Sequence, residues 1–318
     1  MKKYYLYRLK TTFLRPVIFL VISILYILYD MSYDYKVDYS GMYTVTVIIS
    51  FSATLLPIFE LYQFKSKKNL DTFFSVPLSR GKMALCHFLC GLTQLSIVYT
   101  MSYVFLFVHR LILSESVVMI YFLPHYFAIL ILGALLYCLF CFIFYQANTM
   151  IDGILFEFLY IFAPGMLWSL ICDVIYEISG RNYSKGLLNL STYAPIDCVT
   201  TAFQKLAEPN RYNALYVEKM LLPLTLIFVV ISVAALFGFF RTFVKTRVEN
   251  AENISDSPFG YKVLIPICGI YLAPAMPILN IILVAIGYVI YRRGFKFKRS
   301  DYIVMASVLA VSILSEIL

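Results

Sequence analysis

Charge is scarce in this sequence: of 318 residues only 14% are Asp, Glu, Lys or Arg, while 61% are hydrophobic. A soluble domain carries roughly 25% charged residues, so the composition excludes one and points to an integral membrane protein. Histidine is equally thin, with His87, His109 and His125 widely separated, which leaves no paired-His or Ser/His/Asp constellation for a membrane-embedded enzyme. No G-x-x-x-x-G-K-[ST] run occurs and there is no long polar stretch to hold a soluble nucleotide-binding domain, so no P-loop is encoded here. The seven cysteines are odd in number, and all but Cys198 lie in apolar segments, where cysteine acts as a small hydrophobe. No disulfide framework is implied. Cys86, His87 and Cys90 sit together in an apolar helix without further ligands, so no metal site is expected.

What is present is a series of apolar runs. A crossing helix needs about 20 residues, and the stretches Thr12–Tyr29, Tyr43–Tyr62, Met83–Val108, Leu123–Phe144, Ile151–Ile178, Met220–Phe240 and Val263–Tyr291 meet or exceed that requirement or approach it, with 302–318 marginal. The first lacks a small-residue cleavage site after it and is expected to remain as an anchor. Basic residues set the orientation. With the N-terminus cytoplasmic, Lys2, Lys3, Arg8, Lys10 and Arg15 lie inside with Lys65, Lys67, Lys68, Arg80, Lys82, Arg241, Lys245, Arg247 and Lys262. Membrane topology therefore accounts for the net charge of +8, and no nucleic-acid partner is expected.

The stretch 263–291 does not fit a simple crossing. Its far flank, Tyr291-Arg-Arg-Gly-Phe-Lys-Phe-Lys-Arg-Ser300, is the densest basic run in the chain, so both flanks favour the cytoplasm. One helix over the whole stretch would also be far longer than the ~30 Å hydrocarbon core. Pro274 and Pro277 interrupt its middle. The reading is a hairpin, Val263–Ala273 going up and Met276–Tyr291 returning, and the alternative is one tilted, proline-kinked span.

Two sets of polar positions stand out. In the loop between the second and third spans, Leu70, Phe73, Phe74 and Leu78 follow a helical spacing that places them on one face, with Pro77 ending or bending the helix. Two explanations fit an exposed apolar face there: a helix resting among lipid headgroups, or a docking surface for a cytosolic protein. Among the buried charges, Glu60 closes the second span, Asp152 opens the fifth and Glu157 lies deeper in it. An ionisable group in a span needs a cavity or a partner. Asn148 and Asp152, four apart, are expected on one helical face. Interfacial capping explains Asp152, Asp173 and Glu177, while Glu157 favours a pathway or gate.

The run Phe59-Glu60 followed by LDTFFSVPLSRGKMALCHFLCG (residues 70–91) resembles the segment between the second and third spans of ABC-2 type transporter permeases, with their D…SLP-[VI]-SR…K/H signature. YQANTMIDGILFEFLYIFAP (145–164) is similar to the fourth-to-fifth span region of a Firmicutes branch of that family, with Asn148, Asp152 and Pro164 in matching places. TYAPIDCVTTAF (192–203) resembles its outer amphipathic segment, and RTFVKTRVENAENISDSPFG (241–260) the stretch after its sixth span. The likeness covers roughly residues 1 to 260.

The resemblance implies an all-α polytopic membrane protein with a six-span ABC-2, type V exporter-like core at 1–242. That core would carry a cytoplasmic coupling helix at about 68–80 and an outer loop at 179–219. Residues 243–318 would add the membrane hairpin at 263–291, a basic cytoplasmic loop at 292–301 and a last helix at 302–318. It implies a bacterial plasma-membrane permease subunit that is not itself an enzyme. Partner subunits would bind ATP and Mg, and a second permease, identical or homologous, and membrane lipid would complete the assembly. The substrate class implied is hydrophobic or amphipathic: an antimicrobial peptide, an antibiotic or a lipid-like compound. Leu70, Phe73, Phe74, Pro77, Leu78 and Arg80 would contact the ATP-binding subunit, and Glu60, Asn148, Asp152 and Glu157 would line a pathway or gate. The rival is a proton- or ion-coupled secondary transporter using Glu157 and Asp152.

Overall fold

Inside a bilayer every backbone N–H and C=O needs a partner from the chain itself, and a helix supplies one locally. The computed structural model describes residues 1–33, 40–112, 119–179, 191–207, 215–246, 249, 251–253, 255, 257–273 and 277–317, and among them there is no strand. The helices are α1 (Lys2–Thr11), α2 (Leu14–Tyr33), α3 (Ser40–Leu61), α4 (Lys67–Phe74), α5 (Arg80–Ile112) and α6 (Met119–Gln146). They continue with α7 (Met150–Ser179), α8 (Ala194–Ala207), α9 (Leu215–Lys245), α10 (Tyr261–Leu272), α11 (Pro277–Arg292) and α12 (Arg299–Ile317). A 3-10 turn, Tyr62–Lys65, extends α3.

Among the described residues, five helical stretches are long and apolar enough to cross a membrane: Gly41–Lys65, Arg80–Ile112, Tyr121–Gln146, Met150–Trp168 and Leu222–Lys245. They coincide with the second to sixth expected spans. The first is different. α1 and α2 satisfy the length and apolarity requirement only as a pair bent by 50°. A search for apolar runs passes over a polar, basic helix such as Lys2–Thr11, so α1 is not among the expected elements.

The chain divides into two units, each discontinuous in sequence: residues 1–63, 71–142 and 193–246, and residues 64–70, 143–192 and 247–318. In the first, α5 is the central element, with α1, α2, α3 and α9 packed on it, while α8 packs on α3 and α9. Its interior is aromatic: Tyr99, Tyr137, Phe140, Phe239 and Phe243 are fully buried, and the Phe88 ring lies 5.4 Å from Tyr137 and 5.7 Å from Phe240. Lipid exerts no hydrophobic pressure between helices, so small residues that allow close packing gain weight. Gly91 is such a position. A Cβ there would lie 2.1 Å from the Tyr137 hydroxyl and 3.2 Å from Glu60 Cγ.

The segment 192–203, expected to be amphipathic, lies largely within one helix, α8. Thr200 shares a hydrogen bond of 2.8 Å with Thr46 of α3, and the Tyr193 hydroxyl one of 2.9 Å with Thr54. Most of the rest of the expected outer loop, 180–190 and 208–214, lies outside the described residues.

In the second unit α7 packs on α10, and α10 on α11 and α12. α10 and α11 run antiparallel: a Cβ on Gly269 would meet Val284 at 2.8 Å, and one on Gly287 would meet Ile265 at 3.5 Å. The Asn280 amide also donates to the Gly269 carbonyl at 2.6 Å. The stretch 263–291 is thus two short apolar helices doubled back on each other, not one kinked helix. Pro277 is the first residue of α11, where its missing N–H costs nothing; Pro274 lies outside the described residues.

Gly91→Ala overpacks the α5 face against a buried tyrosine, an error of about 1–3 kcal/mol. It is expected to lower the thermal midpoint of the detergent-purified protein, and Tyr137→Phe in the same chain to recover part of the loss. An unchanged midpoint for Gly91→Ala contradicts this packing.

Candidate functional site

α3 ends one residue beyond Glu60, a poor place for a carboxylate. The last turn of a helix carries the negative end of its dipole, and Glu60 is fully buried there. Its position depends on cations brought from elsewhere in the first unit. Arg15 of α2 donates from one nitrogen to Glu60 Oε1 at 2.8 Å and to the Phe59 carbonyl at 2.9 Å, neutralising the carboxylate and capping the helix end together. Arg8 of α1, itself buried, places Nη2 at 3.5 Å from Oε2. α5 contributes a polar face: His87 Nδ1 at 3.6 Å from Oε2, Cys90 Sγ at 3.9 Å and Gln94 Nε2 at 3.0 Å from Oε1. Residues 87, 90 and 94 recur at helical spacing, with Gly91 among them giving Glu60 room.

The cluster extends into α1. The Tyr4 hydroxyl is 3.0 Å from His87 Nε2, and the Gln94 amide donates to Thr12 at 2.9 Å. Four helices, α1, α2, α3 and α5, therefore meet at one carboxylate. In this conformation Glu60 is an interhelical tie. The other histidines lie elsewhere; His125 is 3.1 Å from the Tyr103 hydroxyl.

The loop between the second and third spans adjoins this cluster. α4 is a helix as the apolar spacing requires, but it ends at Phe74 rather than near residue 80. The residue before a proline is disfavoured in helix. The backbone accordingly turns, with the Val76 N–H on the Phe73 carbonyl at 3.2 Å and the Leu78 N–H on the Val76 carbonyl at 2.7 Å. The expected exposed face is also revised. Leu70 is fully buried and anchors the helix within its own chain. Phe73 is half-buried, its ring edge-on to His87 at 5.9 Å. Pro77 is exposed and Leu78 half-buried; the Phe74 side chain lies outside the described residues. Arg80, at the start of α5, donates to the Val244 and Thr246 carbonyls at 3.5 and 2.7 Å. It thus satisfies the C-terminal end of α9, where a cation is favoured.

A second group of polar residues belongs to the other unit. Lys65, read from sequence as a loop lysine, is buried. Its ammonium donates to the Tyr145 and Ala147 carbonyls at the end of α6, 4.6 Å from the centre of the Tyr145 ring. Asn148 precedes α7, which begins at Met150, so it does not share a helical face with Asp152. Its carbonyl accepts the Glu252 N–H at 3.0 Å. The Asp152 backbone N–H is capped by the Thr149 hydroxyl at 3.1 Å, and its carboxylate accepts the Tyr261 hydroxyl at 2.5 Å. Glu157 is buried, and neither of its oxygens has a hydrogen-bond partner among the described residues. The side chains of Asp173 and Glu177 lie outside the described residues.

Sequence reasoning missed Arg8, Arg15, His87, Gln94 and Lys65 as parts of these groups. The face His87-x-x-Cys90-Gly91-x-x-Gln94, with polar or small residues at helical spacing inside an apolar helix, is the signal that could have found them. Comparisons of the chain with protein-family models, curated proteins and solved structures find no match.

Removing one member of a fully buried ion pair costs about 3–5 kcal/mol. Glu60→Gln is therefore expected to reduce the folded, monodisperse yield severely. Arg15→Ala should do less harm, since the Arg15 side chain is 21% exposed and water can replace part of its role. Equal thermal midpoints for Glu60→Gln and the unaltered protein refute the tie.

Proposed function

We propose that this chain is the transmembrane permease subunit of an ABC-2 type transporter, exporting a hydrophobic or amphipathic substrate with energy from a separate ATP-binding subunit. The observation that carries the reading is the turn after α4. A short helix is fastened to its own chain by Leu70 and Phe73, and the following turn holds Pro77 exposed and Leu78 half-buried between two well-anchored helices. A loop that only rests on lipid has no need of such support. A loop that transmits force does, because a lever must be stiff and attached at its base.

On this reading the partner contact is the turn around Val76, Pro77 and Leu78. Leu70 supports the lever from within, and Arg80 holds the base of α5 to the end of α9. Movement of the partner on the turn would reach His87 through Phe73, and α1, α2 and α3 through Glu60. ATP and Mg would be bound by the partner. A second permease, the same or homologous, would complete the pathway in a bacterial plasma membrane, with the N-terminus cytoplasmic. The antiparallel pair α10 and α11 would be a re-entrant hairpin entered from the cytoplasmic side. The lengths and apolarity of the helices support the multi-pass placement.

A second reading, a proton- or ion-coupled carrier, has one observation in its favour: the buried Glu157 carboxyl, with no hydrogen-bond partner among the described residues. Such a group suits reversible loading of a proton or cation.

Purification of the intact chain from its native membrane in mild detergent separates the two. The permease reading predicts an ATP-binding cassette protein with the unaltered chain, lost with Pro77→Asp/Leu78→Asp while the thermal midpoint stays the same. If the unaltered chain emerges alone under conditions that preserve known membrane complexes, the permease reading fails and the Glu157 carrier takes its place.

A further inference from the structure

The basic run between α11 and α12 takes no part in the polar groups described above, and its backbone is held in a defined shape. α11 closes with Arg293 in the left-handed region, φ 50, and the Gly294 N–H returns to the Val289 carbonyl at 3.1 Å, a common helix stop. Arg292 lies over the Tyr291 ring at 4.4 Å and grips both Asp301 oxygens, at 3.0 and 2.8 Å. Asp301 also accepts the Lys298 N–H at 2.9 Å and the Ser300 hydroxyl at 3.1 Å. Arg293 donates to the Glu252 carbonyl at 2.9 Å. The carboxylate within the loop is thus occupied in shaping it. What the shaped loop presents is Lys296, Lys298 and Arg299, all exposed, and Phe295, 84% exposed.

We propose that this loop is a docking site for the headgroups of anionic phospholipids. Large apolar side chains are exposed on both adjoining helices, Ile286 and Ile290 on α11 and Tyr302 and Ile303 on α12. Those faces belong in hydrocarbon, which puts the loop between them at the boundary where headgroups lie. Three cations and a projecting aromatic ring at that level match a phosphate layer over acyl chains. Basic clusters beside membrane helices attract anionic lipid in this way, and an aromatic ring is at home in the boundary region. A soluble polyanion would answer the lysines but leave Phe295 and its apolar neighbours in water. Because the Asp301 bonds fix the loop beforehand, little freedom is lost on binding. The proposal stands apart from the permease reading and requires only that α11 and α12 face lipid.

The test uses the full chain in nanodiscs. The single tryptophan, Trp168, is replaced by phenylalanine, and Phe295→Trp supplies the reporter. Brominated phosphatidylglycerol is expected to quench it about twofold or more better than brominated phosphatidylcholine at equal mole fraction. That preference should vanish in Lys296→Gln/Lys298→Gln/Arg299→Gln and at ~1 M salt, where the screening length is ~3 Å. Equal quenching by the two lipids overturns the proposal. Quenching by neither overturns it as well and points to a soluble partner. Native mass spectrometry of the chain without the reporter gives an independent reading: phosphatidylglycerol adducts should fall in the triple glutamine variant, and unchanged adducts refute the assignment.

Discussion

A carboxylate buried at the negative end of a helix cannot be left alone, and this necessity organises the first unit. Taking an ion out of water costs several kcal/mol even after relaxation, and the dipole of α3 adds to that cost at Glu60. The charge is tolerable only because Arg15, Arg8 and the polar face of α5 close around it. Each partner sits on a different helix, so meeting the electrostatic demand also fixes how α1, α2, α3 and α5 pack. The absence of a side chain at Gly91 belongs to the same constraint, since it lets α5 approach both Glu60 and Tyr137.

The same arrangement gives the short helix α4 something firm to rest on. Its Phe73 ring meets His87, and His87 lies between Glu60 and Tyr4. A push on the turn at residues 75–79 therefore has a packed and hydrogen-bonded route into the helices, in place of a loose tether. Lys65 and Arg80 do comparable work at two other helix ends: each donates hydrogen bonds to backbone carbonyls left open by the end of α6 or α9. The last carbonyls of a helix have no partner within it, and a basic side chain satisfies them at both of these ends.

Much of the architecture could be read from residue order. Spans are visible because apolarity over about 20 residues is a local property, and the doubled-back pair α10 and α11 followed from basic flanks on both sides of a proline-broken run. α4 was legible from the spacing of Leu70, Phe73 and Phe74. Burial was not. The rule that places basic residues on the cytoplasmic side reads charge and says nothing of depth, so it groups Arg8 and Lys65 with the other cytoplasmic-side basic residues and does not reveal that both are buried. Leu70 was assigned to an exposed face because periodicity identifies a face without identifying what covers it. The partners of Glu60 lie far from it along the chain, and only the packing of helices brings them together.

The central claim is that Glu60 and the two arginines beside it, Arg8 and Arg15, neutralise one another, so that loss of Glu60 is harmful chiefly through the charges it leaves behind. The most direct measurement is the thermal midpoint of Glu60→Gln alone and of Glu60→Gln combined with Arg8→Met and Arg15→Met, in the same detergent. Replacing a whole buried ionic group with apolar side chains is often neutral, whereas removing one member is costly. The account predicts that the triple variant recovers most of the midpoint lost by Glu60→Gln. A triple variant no more stable than the single one would contradict it.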